Sequence, residues 1–171
     1  MKRIYIILLP ILFLFSSCSS DEDVSAPILS DVSTLAMPAD FEFSLTYGTY
    51  GKQKVDTFND TIIKDLVIDG TIEAKISFTA EEKNLIYDEM LKINIMGDLA
   101  IDRELQCAIE PPSFTSWHIQ MNGETKEFSY TNFCEYNGDA KNLRNLENLI
   151  HKLVAAKEAY QELPDLNGGY E

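Results

Sequence analysis

Two dipeptides, Asp69-Gly70 and Asn122-Gly123, constrain the fold of this chain more than any other feature of its sequence. Each lies between segments in which apolar and polar residues alternate, and Asp-Gly and Asn-Gly are preferred in the two-residue turns of β-hairpins. For the first hairpin, the alternation predicts a register with Val67 opposite Ile72. Because such short turns join antiparallel strands, the sequence predicts an antiparallel sheet.

The remaining elements follow from local patterns. Alternation over residues 41–47 predicts another strand. Thr79 and Glu82 have the spacing of a capping box, which predicts that a helix begins there, and we expect it to end at Gly97. A second amphipathic helix is predicted over residues 139–163, whose first residue is a good N-cap. About five strands in a mainly antiparallel sheet, with two helices packed on one face, give an α+β fold.

A third pattern, at the N-terminus, predicts export. Lys2 and Arg3 precede an unbroken apolar run over residues 4–15, and small residues follow it. A helix of this length would span roughly 18 Å, which is short of the roughly 30 Å hydrocarbon core of a bilayer. We therefore interpret residues 1–17 as a signal peptide and not as a membrane-spanning helix.

The residues Ser16-Ser17-Cys18 that follow this run resemble the lipobox of bacterial lipoproteins. Together with the Ser-Ser-acidic run of residues 19–23, they resemble uncharacterised lipoproteins of the Bacteroidetes type, with no characterised family for the domain. The resemblance implies that Cys18 carries diacylglyceryl and palmitate groups, which anchor the chain in the cell envelope. It favours the outer membrane and the cell surface. The alternative for Cys18 is an ordinary secretory signal that contains a cysteine. The alternative for the acidic residues 21–23 is a solvated charge run in a linker.

Composition limits the partners of the exported part. Residues 18–40 are rich in Ser, Asp, Ala and Pro, which is typical of a flexible tether, and residues 41–171 have the length of one domain. The chain has 28 acidic residues against 14 Lys and Arg, a formal net charge of −14. This excess argues against a nucleic-acid partner, because phosphate binding needs clustered cations. The charge suits a basic protein partner, and it equally suits a surface that is only kept soluble.

Cys107 and Cys134 are the thiols that remain after lipidation, and they flank the second hairpin at similar distances. Two arrangements fit the sequence: a disulfide, favoured by export to an oxidising compartment, and two separate buried thiols. A cysteine nucleophile would need His118 or His151 as its base. We expect His118 opposite Glu127 on a polar face and His151 among exposed residues. The sequence therefore predicts no catalytic residue, no metal site and no cofactor.

These observations predict a membrane-tethered binding or interaction module without enzymatic activity. Two alternatives belong to other classes. An inhibitor or immunity-type protein would bind a basic envelope enzyme in a salt-sensitive manner. A carboxylate-dependent hydrolase would need a deep pocket in which acidic side chains converge and one carboxyl group has a raised pKa. The sequence predicts neither a specific ligand nor an oligomeric state.

Overall fold

The computed structural model of the protein describes residues 36–171. The predicted signal peptide over residues 1–17, the lipid attachment at Cys18 and the predicted tether up to residue 35 lie outside the described residues. Within residues 36–171, no helix is long and apolar enough to cross a bilayer.

The described residues contain a six-stranded sheet in which neighbouring strands are antiparallel. The strands are β1 (Glu42–Tyr47), β2 (Gln53–Asp56), β3 (Thr61–Val67), β4 (Gly70–Lys75), β5 (Phe114–Met121) and β6 (Glu124–Thr131), in the spatial order β4-β3-β2-β1-β5-β6. The predicted α+β fold is confirmed, with one strand more than expected. The additional strand is β2, which the sequence analysis missed because Val55 is its single apolar residue and no alternation is visible.

Two longer helices cover one face of this sheet. They are α1 (Ala80–Lys92) and α2 (Gly138–Ala155), accompanied by a 3₁₀ turn at Arg103–Leu105 and a short α3 (Glu158–Gln161). The predicted capping box is confirmed, because the Thr79 hydroxyl accepts from the amide of Glu82, whose carboxylate accepts from the amide of Thr79. The helix ends at Lys92 and not at Gly97, because Asn94 adopts the left-handed conformation that terminates helices (φ 50°).

The second predicted helix is interrupted, so its predicted extent is wrong. α2 ends at Ala155, Lys157 is extended, and α3 follows as a separate turn. The N-cap is Asn137, whereas the Asp139 carboxylate accepts a hydrogen bond from the amide of Ala100. The apolar spacing continues across the break, and no Gly or Pro marks it, so the sequence pattern reads as one helix.

The core lies between the helices and one face of the sheet. Alternate residues of β1 and β5 point into it and meet apolar residues spaced three or four apart on α1 and α2. Its fully buried members include Phe43, Leu45, Trp117, Ile119, Ile86, Met90, Leu143 and Ile150. The opposite face of the sheet is covered by neither of the longer helices, and we call it the uncovered face.

The two predicted hairpins differ in their outcome. Asn122 and Gly123 form the turn between β5 and β6, both with positive φ (54° and 75°), as the sequence predicts. The predicted register of the first hairpin is wrong, because Ile72 lies opposite Lys64 and not opposite Val67. The second hairpin therefore follows its local sequence, whereas the first does not.

A β-bulge between Asp65 and Val67 explains the shifted register. Asp65 Oδ1 accepts a hydrogen bond from the amide of Val67 (2.9 Å), and the carbonyl of Leu66 accepts one from the amide of Asn167 (3.2 Å). The C-terminal segment thus provides a hydrogen bond that β4 would provide in a regular hairpin. Neither contact is visible in the alternation of apolar residues.

Residues 36–40, which the sequence analysis assigned to the tether, contact the domain. Met37 packs against the core. The Asp40 carboxylate accepts hydrogen bonds from the amides of Asn122 (3.0 Å) and Gly123 (2.6 Å). These amides, that of Gly123 foremost, hold the pKa of the Asp40 carboxyl below its ordinary value. The start of the domain is therefore joined to the turn of the β5–β6 hairpin.

Candidate functional site

Four polar residues lie in one line across the uncovered face. Strand pairing places Ser44 opposite both Asp56 and His118, and it places His118 opposite Glu127. We call these four residues the polar row. Adjacent strands lie about 4.8 Å apart, so the row extends over about 14 Å across β2, β1, β5 and β6. A second line beside it contains Lys54, Thr46, Ser116 and Ser129.

A depression of about 260 Å³ opens along the polar row. It is lined by Ser44, Lys54, Asp56, Phe58, Asn59 and His118. The Phe58 ring is 40% exposed and stands edge-on to the imidazole of His118, with 5.1 Å between the ring centroids. The depression thus combines an exposed aromatic ring with hydrogen-bond donors and acceptors.

Asp56 is the most buried residue of this depression, with 7% of its surface exposed. Its Oδ2 atom accepts hydrogen bonds from Lys54 Nζ (2.9 Å) and Asn59 Nδ2 (3.2 Å), whereas its buried Oδ1 has no partner among the described residues. Burial raises the pKa of Asp56, but the contacts with Lys54 and Asn59 outweigh it and lower the pKa below its ordinary value. Asp56 thus places a carboxylate in the depression with Lys54 as its counter-ion.

The other end of the polar row is a histidine–carboxylate contact. His118 Nδ1 lies 2.9 Å from Glu127 Oε1, and both side chains are partly exposed. The predicted position of His118, opposite Glu127 on a polar face, is confirmed. Ser44 lies between this contact and Asp56, and its hydroxyl can both donate and accept a hydrogen bond.

A larger cavity, of about 850 Å³, adjoins the second line of the uncovered face. Ser116 and Ser129 belong to that line and to the cavity lining, so the cavity and the polar row are neighbours on the sheet. Ile109 and Phe114 also line the cavity and are 46% and 45% exposed. Small-molecule sites commonly have volumes of about 300–1,000 Å³, a range that includes this cavity.

One wall of this cavity is held by a disulfide between Cys107 and Cys134, whose Cα atoms are 4.9 Å apart. Backbone hydrogen bonds lie on both sides of it. The amide of Cys107 donates to the carbonyl of Asn132 (2.7 Å), and the amide of Cys134 donates to the carbonyl of Leu105 (2.9 Å). Of the two arrangements that fit the sequence, the structure contains the disulfide. The cavity wall is therefore fixed to the end of β6.

A buried glutamate that the sequence analysis missed lies on the helix side of the sheet. Glu147 of α2 is 7% exposed and accepts a hydrogen bond from the Tyr130 hydroxyl (3.2 Å), which accepts one from Trp117 Nε1 (3.4 Å). Burial raises the pKa of Glu147, against the opposing effect of Arg144. Because Tyr130 lines the large cavity, Glu147 is one hydrogen bond away from that cavity.

The sequence-based expectation for His151 is wrong. Its ring is partly buried, and its Nδ1 atom shares a hydrogen bond of 2.9 Å with the hydroxyl of Tyr47. Burial lowers the pKa of His151, which favours the neutral imidazole. His151 faces the sheet because it follows Glu147 by four residues and so lies on the same side of α2.

The structure does not bring the cysteine and histidine candidates together. Cys107 and Cys134 are bonded to each other and cannot serve as thiolate nucleophiles or zinc ligands. His118 lies on the uncovered face and His151 on the helix side of the sheet. Among residues 36–171, no three His, Cys, Asp or Glu side chains form a group that could hold a metal ion.

The residues that the sequence analysis missed differ in the signal they carry. Glu147 lies four residues after Leu143 and three before Ile150, so helical spacing alone places it on the buried stripe of α2. Asp56 carries no comparable signal, because it lies on the strand that shows no alternation. Its position beside β1 depends on the order of strands in the sheet.

Fold and site together define an antiparallel α+β domain with a polar uncovered face and an adjoining cavity. Comparison of the chain with protein-family models, with curated proteins and with solved structures finds no match. The function of the protein is therefore inferred from its own residues.

Proposed function

We propose that the protein is a lipid-anchored binding module of the bacterial cell envelope, and that it binds its partner without catalysing a reaction. The observation that carries this proposal is the uncovered face, where a cavity of about 850 Å³ adjoins the polar row. Exposed apolar side chains and polar groups occur together there, which is the usual composition of a ligand site. The resemblance of Ser16-Ser17-Cys18 to a lipobox supports the anchor.

The positions of the acidic groups favour binding over catalysis. General acid catalysis needs a carboxyl group that faces the substrate and has a pKa near the working pH. Glu147 has a raised pKa but is absent from the cavity lining, where Tyr130 stands in its place. The acidic residues that do line the cavity, Asp102 and Glu110, are exposed to solvent.

Mass spectrometry of the native protein tests the anchor. We expect a mature chain that begins at Cys18 and carries acyl groups on that residue. A Cys18→Ser variant should remain unacylated and leave the membrane fraction or stay uncleaved. An unmodified residue 18 in the native protein, or a mature chain that begins at Met1, contradicts the proposed anchor.

Capture of partners from a cell-envelope extract tests the binding face. The full-length protein, purified in detergent, is compared with its Ile109→Asn and Ile68→Asn variants. Ile109 lines the cavity and is 46% exposed, whereas Ile68 is 71% exposed and lies outside the lining. We expect Ile109→Asn to reduce capture and Ile68→Asn to leave it unchanged.

The same experiment distinguishes the alternatives. If Ile109→Asn captures as much protein as the wild type, and high salt abolishes this capture, the result favours an inhibitor of a basic envelope enzyme. Such a partner suits the formal net charge of −14. If the protein captures no partner at low salt or at high salt, the result contradicts the binding module.

A further inference from the structure

We propose that the uncovered face binds a linear oligosaccharide, laid along the polar row with one ring against Phe58. The juxtaposition that points to this ligand is an exposed aromatic ring beside four hydrogen-bonding residues in line on four strands. The inference rests on the proposed binding function and names the ligand class for the same face.

The row combines residues that only accept hydrogen bonds with residues that can both donate and accept them. Asp56 and Glu127 accept, Lys54 beside the row donates, and Ser44 and His118 can do both. A ligand that matches such a surface needs groups that both donate and accept at short intervals. The hydroxyl groups of a sugar have this property at almost every carbon.

Asp56 provides a carboxylate acceptor at one end of the polar row. Its Oδ2 atom accepts hydrogen bonds from Lys54 and Asn59, and its Oδ1 atom is buried from solvent. A sugar hydroxyl is a neutral donor, which suits a carboxylate whose charge Lys54 already balances.

Phe58 supplies the apolar part of the contact. Its ring is 40% exposed, and the His118 ring supports it edge-on at 5.1 Å. Aromatic rings contribute large apolar contact area at a binding surface, and the C–H face of a pyranose ring is flat and apolar enough to pack on one. Hydroxyl groups at the rim of that sugar ring would then reach the polar row.

The spacing of the row favours a chain over a single sugar. Neighbouring strands repeat every 4.8 Å or so, which is close to the repeat of linked pyranose rings. A chain that crosses β2, β1, β5 and β6 therefore meets a new polar side chain at each ring. A monosaccharide fills only the depression of about 260 Å³.

Other ligand classes fit this face less well. Glu127 repels phosphate or another anion. Lys54, which pairs with Asp56 at 2.9 Å, opposes an ammonium or guanidinium group. A metal ion lacks ligands, because no three His, Cys, Asp or Glu side chains of residues 36–171 are grouped to hold one.

Isothermal titration calorimetry with the full-length protein tests the inference. The detergent is an amine oxide, which has no sugar headgroup. The probes are cellohexaose, maltohexaose, xylohexaose and chitohexaose, each with its monosaccharide. We expect at least one hexasaccharide to bind, and to bind at least about tenfold more tightly than its monosaccharide because it contacts more strands.

Two pairs of variants locate the binding. Phe58→Ala and Glu127→Gln should each weaken binding of the hexasaccharide about tenfold, because the first loses apolar contact and the second loses a charged acceptor. Tyr136→Ala is the control for Phe58, because Tyr136 is also 40% exposed but lies outside the depression. Glu124→Gln is the control for Glu127, because Glu124 lies on the same strand and faces the other side of the sheet.

The outcomes separate this inference from the proposed function. If Ile109→Asn abolishes capture and no hexasaccharide binds, the oligosaccharide proposal is overturned and the proposed binding function is retained. The oligosaccharide proposal is also overturned if no sugar binds and the protein instead captures a basic protein in a salt-sensitive manner that Glu127→Gln weakens. Equal weakening by the test and control variants overturns the assignment to the polar row. Failure of both capture and titration overturns both proposals.

Discussion

At the scale of single residues, α2 presents a carboxyl group and an imidazole to the sheet one turn apart. Glu147 contacts Tyr130, and His151 contacts Tyr47. Burial raises the pKa of Glu147 and lowers the pKa of His151. Both shifts favour the uncharged form, so the interface between this helix and the sheet tends towards neutrality.

The raised pKa of Glu147 predicts how a Glu147→Gln variant responds to pH. In the unfolded chain this carboxyl group ionises near its ordinary value of 4.5, whereas in the folded protein it ionises at higher pH. The unfolded state therefore binds fewer protons in that interval, and stability falls as pH rises through it, then levels off above the folded pKa. Glutamine has no such ionisation, so the variant should gain stability relative to the wild type as pH rises.

Urea denaturation between about pH 4 and 8 measures this difference. The control is Glu124→Gln, which makes the same substitution at an exposed position of β6, and its pH dependence is compared with that of Glu147→Gln. A constant difference between Glu147→Gln and the wild type across this range would contradict the predicted pKa shift.

At the scale of elements, the N-terminus of α1 depends on a reciprocal pair of hydrogen bonds. Thr79→Ala removes the hydroxyl that accepts from the amide of Glu82. We expect the free energy of unfolding to fall by about 1 kcal/mol, the usual cost of losing an N-cap. Thr71→Ala, in the exposed edge strand β4, serves as the control and should cost less. Equal losses in urea denaturation would contradict a special role for the cap.

Elements whose information is local could be predicted from the sequence, and the others could not. The capping box and the Asn122-Gly123 turn are each determined by residues within four positions of each other. The first hairpin is shifted because Asn167, far along the chain, bonds to Leu66. The break after Ala155 leaves no mark, because the apolar spacing continues beyond it.

The candidate site shows the same division. The contact between His118 and Glu127 follows from the register of one hairpin, so the sequence predicts it. The alignment of Ser44 with Asp56 requires β2 to pair with β1, and β2 has too few apolar residues to be recognised. The polar row therefore becomes visible only when the order of the strands is known.

At the scale of the whole molecule, the disulfide closes a long loop around the second hairpin. Cys107 and Cys134 are separated by 27 positions. In the chain-entropy model a loop of this length contributes about 3–4 kcal/mol, because the crosslink restricts the unfolded chain. We expect a reductant to lower the midpoint of urea denaturation accordingly.

The matched control is the double variant Cys107→Ser with Cys134→Ser. It should be less stable than the oxidised wild type and insensitive to reductant. An oxidised wild type whose midpoint does not change on reduction would contradict the stabilising role of this crosslink. The capture experiment, repeated under reducing conditions, then reports whether the cavity wall keeps its place without the bond.

The bond between Asp40 and the β5–β6 turn determines where the chain enters the domain. Residues 36–39 lead to Asp40 beside Asn122, whereas Phe114 begins β5 at its far end. Seven steps of about 3.4 Å separate the first residue of β5 from the last, which puts roughly 24 Å between these two points. Residues 36–39 thus lie at the end of β5 opposite to Phe114, which lines the cavity. This separation keeps the start of the domain away from the Phe114 side of the cavity.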